Sequence, residues 1–329
     1  MTFFRKVSVA LAAAITALAG PVAAGPADIA PDTIGTWITL GTAGGPVTNP
    51  DRCQPANLLR FSGNDYLVDV GDGTAGQISR AGVQSKMIDA VFISHLHFDH
   101  TGGLAAILGL RFQTSANDPL TIYGPPGTGE MVEGLLASMV PGATANYGVA
   151  GAPPVDHRAG IKVVELRGGD SFALDGMTVT VAANTHYSFP AGSDLAKRFQ
   201  SLSYRFDLPD RSIVYTGDTG PSSEVEALAK GADLLVAEMM DIPLTINRMR
   251  VANPGMPDPI LRSMETHLSK HHLSSSDVGE LARKAQVGAL VVTHFVGLEA
   301  ADVGHLEYLR QIAEFYDGPF VIANDMDAF

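Results

Sequence analysis

Within Ser94-His95-Leu96-His97-Phe98-Asp99-His100, three imidazoles and one carboxylate fall in six consecutive positions. Imidazole and carboxylate are donors that suit zinc, iron or manganese, and so dense a run is poorly explained as a merely polar turn. The run follows the apolar Ala90-Val91-Phe92-Ile93 and precedes Thr101-Gly102-Gly103 and a helical stretch from Leu104 to Phe112. It therefore sits at the C-terminal end of a buried strand, where a turn lets His95, His97, Asp99 and His100 point in different directions. Three later segments also end apolar strands on a candidate ligand. His186 follows Val179–Thr185, Asp218 lies in Tyr215-Thr216-Gly217-Asp218-Thr219-Gly220, and His294 follows Leu290–Thr293. Singly, each reads equally well as a satisfied polar residue or a turn former. Ligands at strand ends share one sheet edge, however, and there the loops can converge on a single metal site.

The elements that must position these residues follow from apolar periodicity and turn residues. Strands are expected at Thr36–Leu40, Asn57–Phe61, Tyr66–Val70, Ala90–Ser94 and Leu120–Tyr123, then at Lys162–Leu166, Ser171–Ala173, Met177–Ala183, Ser201–Asp207, Ser212–Thr216, Asp233–Ala237 and Ala289–Thr293. Helical patterns cover Ala75–Ala81, Leu104–Phe112, Glu130–Val140, Ser222–Lys230, Ser276–Ala285 (capped by Ser276 or Asp277) and Val303–Phe315. Residues 141–160, rich in Pro, Gly and Ala, read as an exposed excursion. Strands in groups with helices between them predict two sheets covered by helices, an α/β sandwich in one domain. No repeat of fixed period is present in the sequence.

Arg5 and Lys6 precede an apolar stretch, Val7–Ala19, and then Val22-Ala23-Ala24, the order of a secretory leader. The expectation is a signal peptide at 1–24, a hydrolase domain at 30–329 and a periplasmic or secreted protein. The apolar stretch is short of the ~20 residues that a spanning helix needs, so no stable membrane span is expected after cleavage. The formal net charge of −13 becomes −15 once Arg5 and Lys6 are removed. With no clustered Lys/Arg patch, this balance predicts no nucleic-acid partner. Cys53 is the one cysteine, so an internal disulfide is excluded, and it reads as a small buried apolar residue.

The ligand order, His-x-His-x-Asp-His, then His, Asp and His, resembles that of the metallo-β-lactamase superfamily of metallohydrolases, from Thr36 to about Phe320. The resemblance implies a four-layer αββα sandwich with a binuclear zinc site at the sheet edge. His95, His97 and His186 would hold one ion, and Asp99, His100 and His294 the other. Asp218 would bridge them, while Asp69, in Leu67-Val68-Asp69-Val70, would steady the ligand turn from behind. Iron or manganese also suits such donors. Leu40-Gly41-Thr42, Asp51-Arg52, Ile122-Tyr123-Gly124-Pro125 and Thr293-His294-Phe295 resemble ribonuclease Z-like and arylsulfatase-like members. In that branch His272 corresponds to the histidine beside the leaving group, and His271 and His267 compete with it by proximity alone. True β-lactamases fit less well, because Cys53 precedes the first motif and Asp218 stands in a Gly-Asp-Thr context.

The activity expected on these grounds is hydrolysis of a small-molecule substrate, a sulfate ester or phosphodiester. Asp99 would orient the attacking water and His272 would act as the acid. Two alternatives stand beside it: a lactone or thioester hydrolase, and a non-catalytic periplasmic metal-binding protein. The tRNA-processing members of the branch carry a protruding basic, glycine-rich arm, and no counterpart is evident. Residues 240–270 instead supply Met239, Met240, Ile242, Leu244, Ile246, Met249 and Met256 with Arg248 and Arg250, readable as a lid over the site or as a homodimer contact.

Overall fold

A computed structural model describes residues 35–116, 118–151, 155–299 and 304–329; the expected leader at 1–24 lies outside them. Six strands form the first sheet in sequential order: β1 (Thr36–Gly41), β2 (Ala56–Phe61), β3 (Asn64–Val70), β4 (Ile88–Phe92), β5 (Leu120–Gly124) and β6 (Ile161–Glu165). Seven form the second: β7 (Ser171–Leu174), β8 (Met177–Ala183), β9 (Leu202–Asp207), β10 (Ser212–Tyr215), β11 (Leu234–Met240), β12 (Ala289–Val296) and β13 (Phe320–Ile322), in the order β13-β12-β11-β10-β9-β8-β7. Helices α1 (Thr74–Arg80), α2 (Phe98–Thr101), α3 (Leu104–Gln113), α4 (Thr128–Ser138) and α5 (Val140–Ala145) belong to the first half. The second half contributes α6 (Asp194–Arg198), α7 (Ser223–Ala229), α8 (Ile242–Ala252), α9 (Asp258–His271), α10 (Ser275–Ala285) and α11 (Gly304–Ala313).

Strand alternation explains the layering. Along β4 and the residue after it, Ala90 and Phe92 face a core between the sheets, while Val91 and Ile93 face a second core under α1, α3 and α4. On β11, Leu234 and Val236 join the central core, and Leu235, Ala237 and Met239 pack beneath α7, α10 and α11. Both faces of these strands are buried, which is why they read as continuous apolar runs rather than alternating ones. The result is the expected four-layer αββα sandwich. Phe92 lies at its centre, 5.0 Å from Tyr123, 5.6 Å from Tyr204 and 5.2 Å from Phe206 between ring centroids.

Most strand boundaries match the sequence expectation to within two residues. The differences lie where packing, not periodicity, selects the element. Residues 240–270 fold into the helical hairpin α8–α9, whose small core joins Ile242, Ile246, Met249, Met264 and Leu268 to Met240 and Val296. Its arginines are engaged: Arg248 donates to the Gly297 carbonyl at 3.1 Å, and Arg250 lies 3.6 Å from Asp258. The expected cap of α10 shifts from Ser276 or Asp277 to Ser274. The Ser274 hydroxyl accepts from the Asp277 N–H, and the Asp277 carboxylate accepts from the Ser274 N–H, a reciprocal capping box. Ser274→Ala should lower stability by about 1 kcal/mol in urea unfolding; an unchanged midpoint at unchanged slope would show that the cap is dispensable. Among the described residues no helix is long and apolar enough to cross a membrane.

Candidate metal centre

Strand polarity brings the ligands together. The turn after β4 carries His95, His97, Asp99 and His100, and His186 follows β8. Asp218 follows β10, and His294 lies within β12 at its C-terminal part. These segments open on one edge of the sandwich, where ligands of open α/β sheets gather. His294 is aimed by a local irregularity: Glu238 pairs with Thr293 but Met239 pairs with Phe295, leaving His294 as the extra residue of a bulge. Its φ of 41°, like the 58° of Asp69, is a left-handed conformation that neither residue adopts without support from its surroundings. Gly217, at φ 57°, lies so close to the ligand turn that an added Cβ would stand 2.8 Å from that of Ser94. A Cβ on Gly45 would come within 2.1 Å of Asp99 Oδ2, so the Gly44-Gly45 loop walls the site by backbone alone.

Links between the sheets hold the ligand turn. Tyr204 donates to the Ile93 carbonyl at 2.7 Å, and the Leu202 N–H to the Ser94 carbonyl at 2.9 Å. Behind the turn, fully buried Asp69 accepts from the Ser94 N–H (2.7 Å), the Ser94 hydroxyl (2.7 Å) and the Tyr215 hydroxyl (2.8 Å), and its Oδ2 lies 2.7 Å from His100 Nδ1. A carboxylate on one ring nitrogen turns the other toward the site. Likewise His186 Nδ1 lies 3.1 Å from the His271 carbonyl, which leaves Nε2 facing inward.

Two sets of donors result, with all atoms of each set within 4.8 Å of one another: His95, His97 and His186; and Asp99, His100, Asp218 and His294. His97 Nδ1 is 3.0 Å from both His95 Nε2 and His186 Nε2. Asp218 lies between the sets. Its Oδ2 is 3.9 Å from His95 and His186 and 3.2 Å from His294, and its Oδ1 is 3.2 Å from His100.

Among the described residues the buried atoms His100 Nε2, Asp218 Oδ1 and His294 Nε2 find no partner in hydrogen-bonding geometry, close as they lie to one another. Buried polar atoms are rarely left so, and here they face one another as the donors of a cation would. Electrostatics agrees. Burial, reinforced by His100 and His186, pushes His95 well below the ordinary imidazole range, and burial takes His186 down to about 3. Burial opposes ionisation of Asp218, but His294 and His100 hold it well below the ordinary carboxylate value. Asp99 behaves alike and falls to about 2, chiefly through His294. His95 and His186 are thus held in the neutral form that metal binding requires. His100 and His294 are instead raised against the effect of burial, His100 by Asp218 and Asp69 and His294 by Asp218 and Asp99, so the carboxylates there draw positive charge that a cation would supply.

Glu238 was not legible as a functional residue, although a lone carboxylate inside Leu234–Met240 was the available signal. It is 1% exposed and accepts from the Thr219 N–H at 2.6 Å, and its Oε2 lies 2.8 Å from His272 Nδ1. Burial disfavours charge on His272, yet Glu238 raises its pKa to about 9. His272 belongs with His186 and Asp218 to a third group of converging donors. Of its two competitors, His271 directs Nδ1 to the Thr185 carbonyl, and His267 is exposed on α9. Cys53 is partly buried, with burial first and Asp325 next pushing its thiol pKa up.

The sandwich and its His/Asp cluster define a metal-dependent hydrolase with a divalent-metal site. A family model described as "Beta-lactamase superfamily domain" matches residues 64–295. Ribonuclease Z of Mycobacterium bovis (strain BCG / Pasteur 1173P2) is 32% identical over 295 residues, covering 88% of this chain and 96% of the relative. Among solved structures, the metallo-beta-lactamase fold protein YhfI of Bacillus subtilis aligns with TM-score 0.64 at 18% identity, over 90% of this chain and 98% of that one. Human tRNase Z, short form, aligns with TM-score 0.59 at 21% identity, over 89% and 98%. The chain belongs to the beta-lactamase superfamily, in its ribonuclease Z-like branch.

Two expectations fall with this result. Hydrolysis of a small sulfate ester or phosphodiester, with lactone or thioester cleavage and non-catalytic metal binding as alternatives, is overturned by relatives named for a ribonuclease. The exclusion of nucleic acid is overturned on the same ground. The physical error was to read a whole-chain charge as a property of one surface: the field at a binding cleft depends on the groups lining it, not on the sum over the molecule.

Proposed function

We propose that this protein is a ribonuclease Z-like enzyme that hydrolyses a phosphodiester bond of RNA at a two-zinc site. The observation that carries the reading is the buried Glu238–His272 pair at the margin of the two donor sets. Such a pair gives a leaving alkoxide what an unactivated ester most lacks, a proton. Identity to ribonuclease Z over nearly the whole relative supports RNA as the ester.

His95, His97 and His186 would hold one ion, Asp99, His100 and His294 the other, with Asp218 shared. When bound, the ions supply Lewis acidity toward the phosphate oxygens and lower the pKa of the attacking water. Asp99, at the open side of the cluster, orients that water and accepts its proton. The water oxygen forms the new bond to phosphorus, the bond to the leaving oxygen breaks, and His272 passes its proton to that oxygen. Glu238 keeps His272 charged and fixes its ring. The leader at 1–24 and a periplasmic or secreted location belong to the same proposal, checked by N-terminal sequencing of the mature chain.

His272→Ala should lower kcat on RNA about 10²–10⁴-fold while leaving metal content per chain unchanged. Full activity in that variant would remove His272 from the mechanism. Failure of the metal-loaded wild type to cut any RNA would overturn the reading as a whole.

A further inference from the structure

Beyond the metal ligands, the excursion that follows His186 carries three aromatic rings leading away from the site. Tyr187 stands 5.4 Å from the His97 ring and 5.6 Å from His186 between centroids, and its hydroxyl accepts from the Leu96 N–H at 3.1 Å. The ring is thereby fixed to the backbone of the ligand turn. Phe189 follows at 5.3 Å from Tyr187, and Phe199 at 6.4 Å from Phe189. The Arg198 guanidinium lies over Phe199 at 4.9 Å. Successive rings are tilted by 51° and 42°, so they do not cover one another's faces.

We propose that Tyr187, Phe189, Phe199 and Arg198 form a stacking track for a single-stranded segment of RNA next to the scissile bond. The proposal rests on the RNA reading above and adds where the strand runs.

Three observations carry it. First, all three rings are only partly buried, whereas the core aromatics Phe92, Tyr204 and Phe206 are fully buried. Partly exposed rings beside a phosphodiester site are placed to stack on bases, each of which offers a π-face whatever the sequence. Second, the excursion is locally built to present them. Ser193 caps α6 through the Ala196 N–H, which sets Arg198 and Phe199 at its C-terminal end. Gly127 makes room beside them, since an added Cβ would lie 2.8 Å from Leu96 Cδ1 and 3.0 Å from the Phe199 ring.

Third, the charge suits a phosphate backbone. Between 187 and 200 Lys197 and Arg198 outnumber Asp194, in a chain whose net charge is −13; Lys197 lies 3.5 Å from Asp194, both exposed, and Arg167 joins the group by donating to the Lys197 carbonyl at 2.9 Å. Arg198 is paired with Glu130 at 2.7 Å, but both groups are exposed, and such a pair is weak enough to be exchanged for a phosphate.

The test uses full-length, metal-loaded protein and a structured RNA bearing single-stranded extensions of one to six nucleotides on either side of the cleavage point, with 2-aminopurine in the extension. For the wild type, KM should fall as one of the extensions lengthens, and 2-aminopurine fluorescence should be quenched on binding. Phe189→Leu and Phe199→Leu keep an apolar side chain without a stacking face. Each should raise KM for long extensions about tenfold, leave kcat and metal content near wild type and relieve the quenching; Phe→Trp at either position should restore it. A KM independent of extension length, or Leu variants indistinguishable from wild type, would overturn the track while leaving the ribonuclease reading intact. Loss of metal with a fall in kcat would also overturn it, by assigning the rings to support of the ligand histidines. A wild type that cuts no RNA would fell both.

Discussion

Asp218→Ala should reduce RNA hydrolysis by about 10³-fold or more and lower the bound metal below two equivalents per chain. The carboxylate is 2% exposed and its oxygens lie 3.2–3.9 Å from four ring nitrogens, those of His95, His100, His186 and His294. Among the described residues no other carboxylate is paired with both donor sets: Asp99 lies 3.5 Å from His100 and from His294. Removing Asp218 takes away the charge that favours cations in both positions. Metal assistance of this kind contributes several kcal/mol to a phosphoryl transition state, hence the expected magnitude. Elemental analysis and single-turnover cleavage on the same preparation check it. Two tightly held equivalents in the alanine variant would refute the shared position of Asp218.

The second large effect is on stability. Asp69→Ala should cost about 3–5 kcal/mol in urea unfolding and weaken metal affinity about 10–100-fold. The side chain is fully buried, and its removal leaves the Ser94 N–H, the Ser94 hydroxyl, the Tyr215 hydroxyl and His100 Nδ1 without their common acceptor. The site adjoins the central core, in which the Tyr215 ring packs 5.8 Å from that of Trp37. The unpaired donors then carry their full desolvation cost. A loss smaller than about 1 kcal/mol would mean that the turn is held from elsewhere, through Tyr204 and Leu202.

The ligand set could be read from the chain because each ligand follows an apolar run, and such runs are self-evident where a strand is buried on both faces. His95 to His100, His186, Asp218 and His294 were marked in this way, and the structure brings all of them to one edge. Glu238 escaped the same logic. The expected strand ended at Ala237, one residue short of it, because a carboxylate breaks an apolar pattern; its burial is made tolerable by the Thr219 N–H and by His272, which caps the C-terminus of α9. The hairpin α8–α9 escaped because Met-, Pro- and Asn-rich segments carry no strong period, and its helices are selected by packing on Met240 and Val296. The substrate class was misread for a different reason: net charge is additive along a chain, whereas the potential at a cleft is not.

By itself, then, the sequence determined the two-sheet sandwich and the histidines and aspartates that converge on one edge as candidate metal donors, since both depend on local patterns of period two, turn residues and donor chemistry. Only the tertiary structure decided which nitrogen of His100 and of His186 faces the site, that His272 rather than His271 or His267 is paired with buried Glu238, and that the rings of Tyr187, Phe189 and Phe199 line up outward from the cluster. Each of these is a relation between residues far apart in the chain. Such relations arise from the crossing of strands, the bulge at His294 and the contacts between sheets, none of which leaves a periodic trace in a single segment.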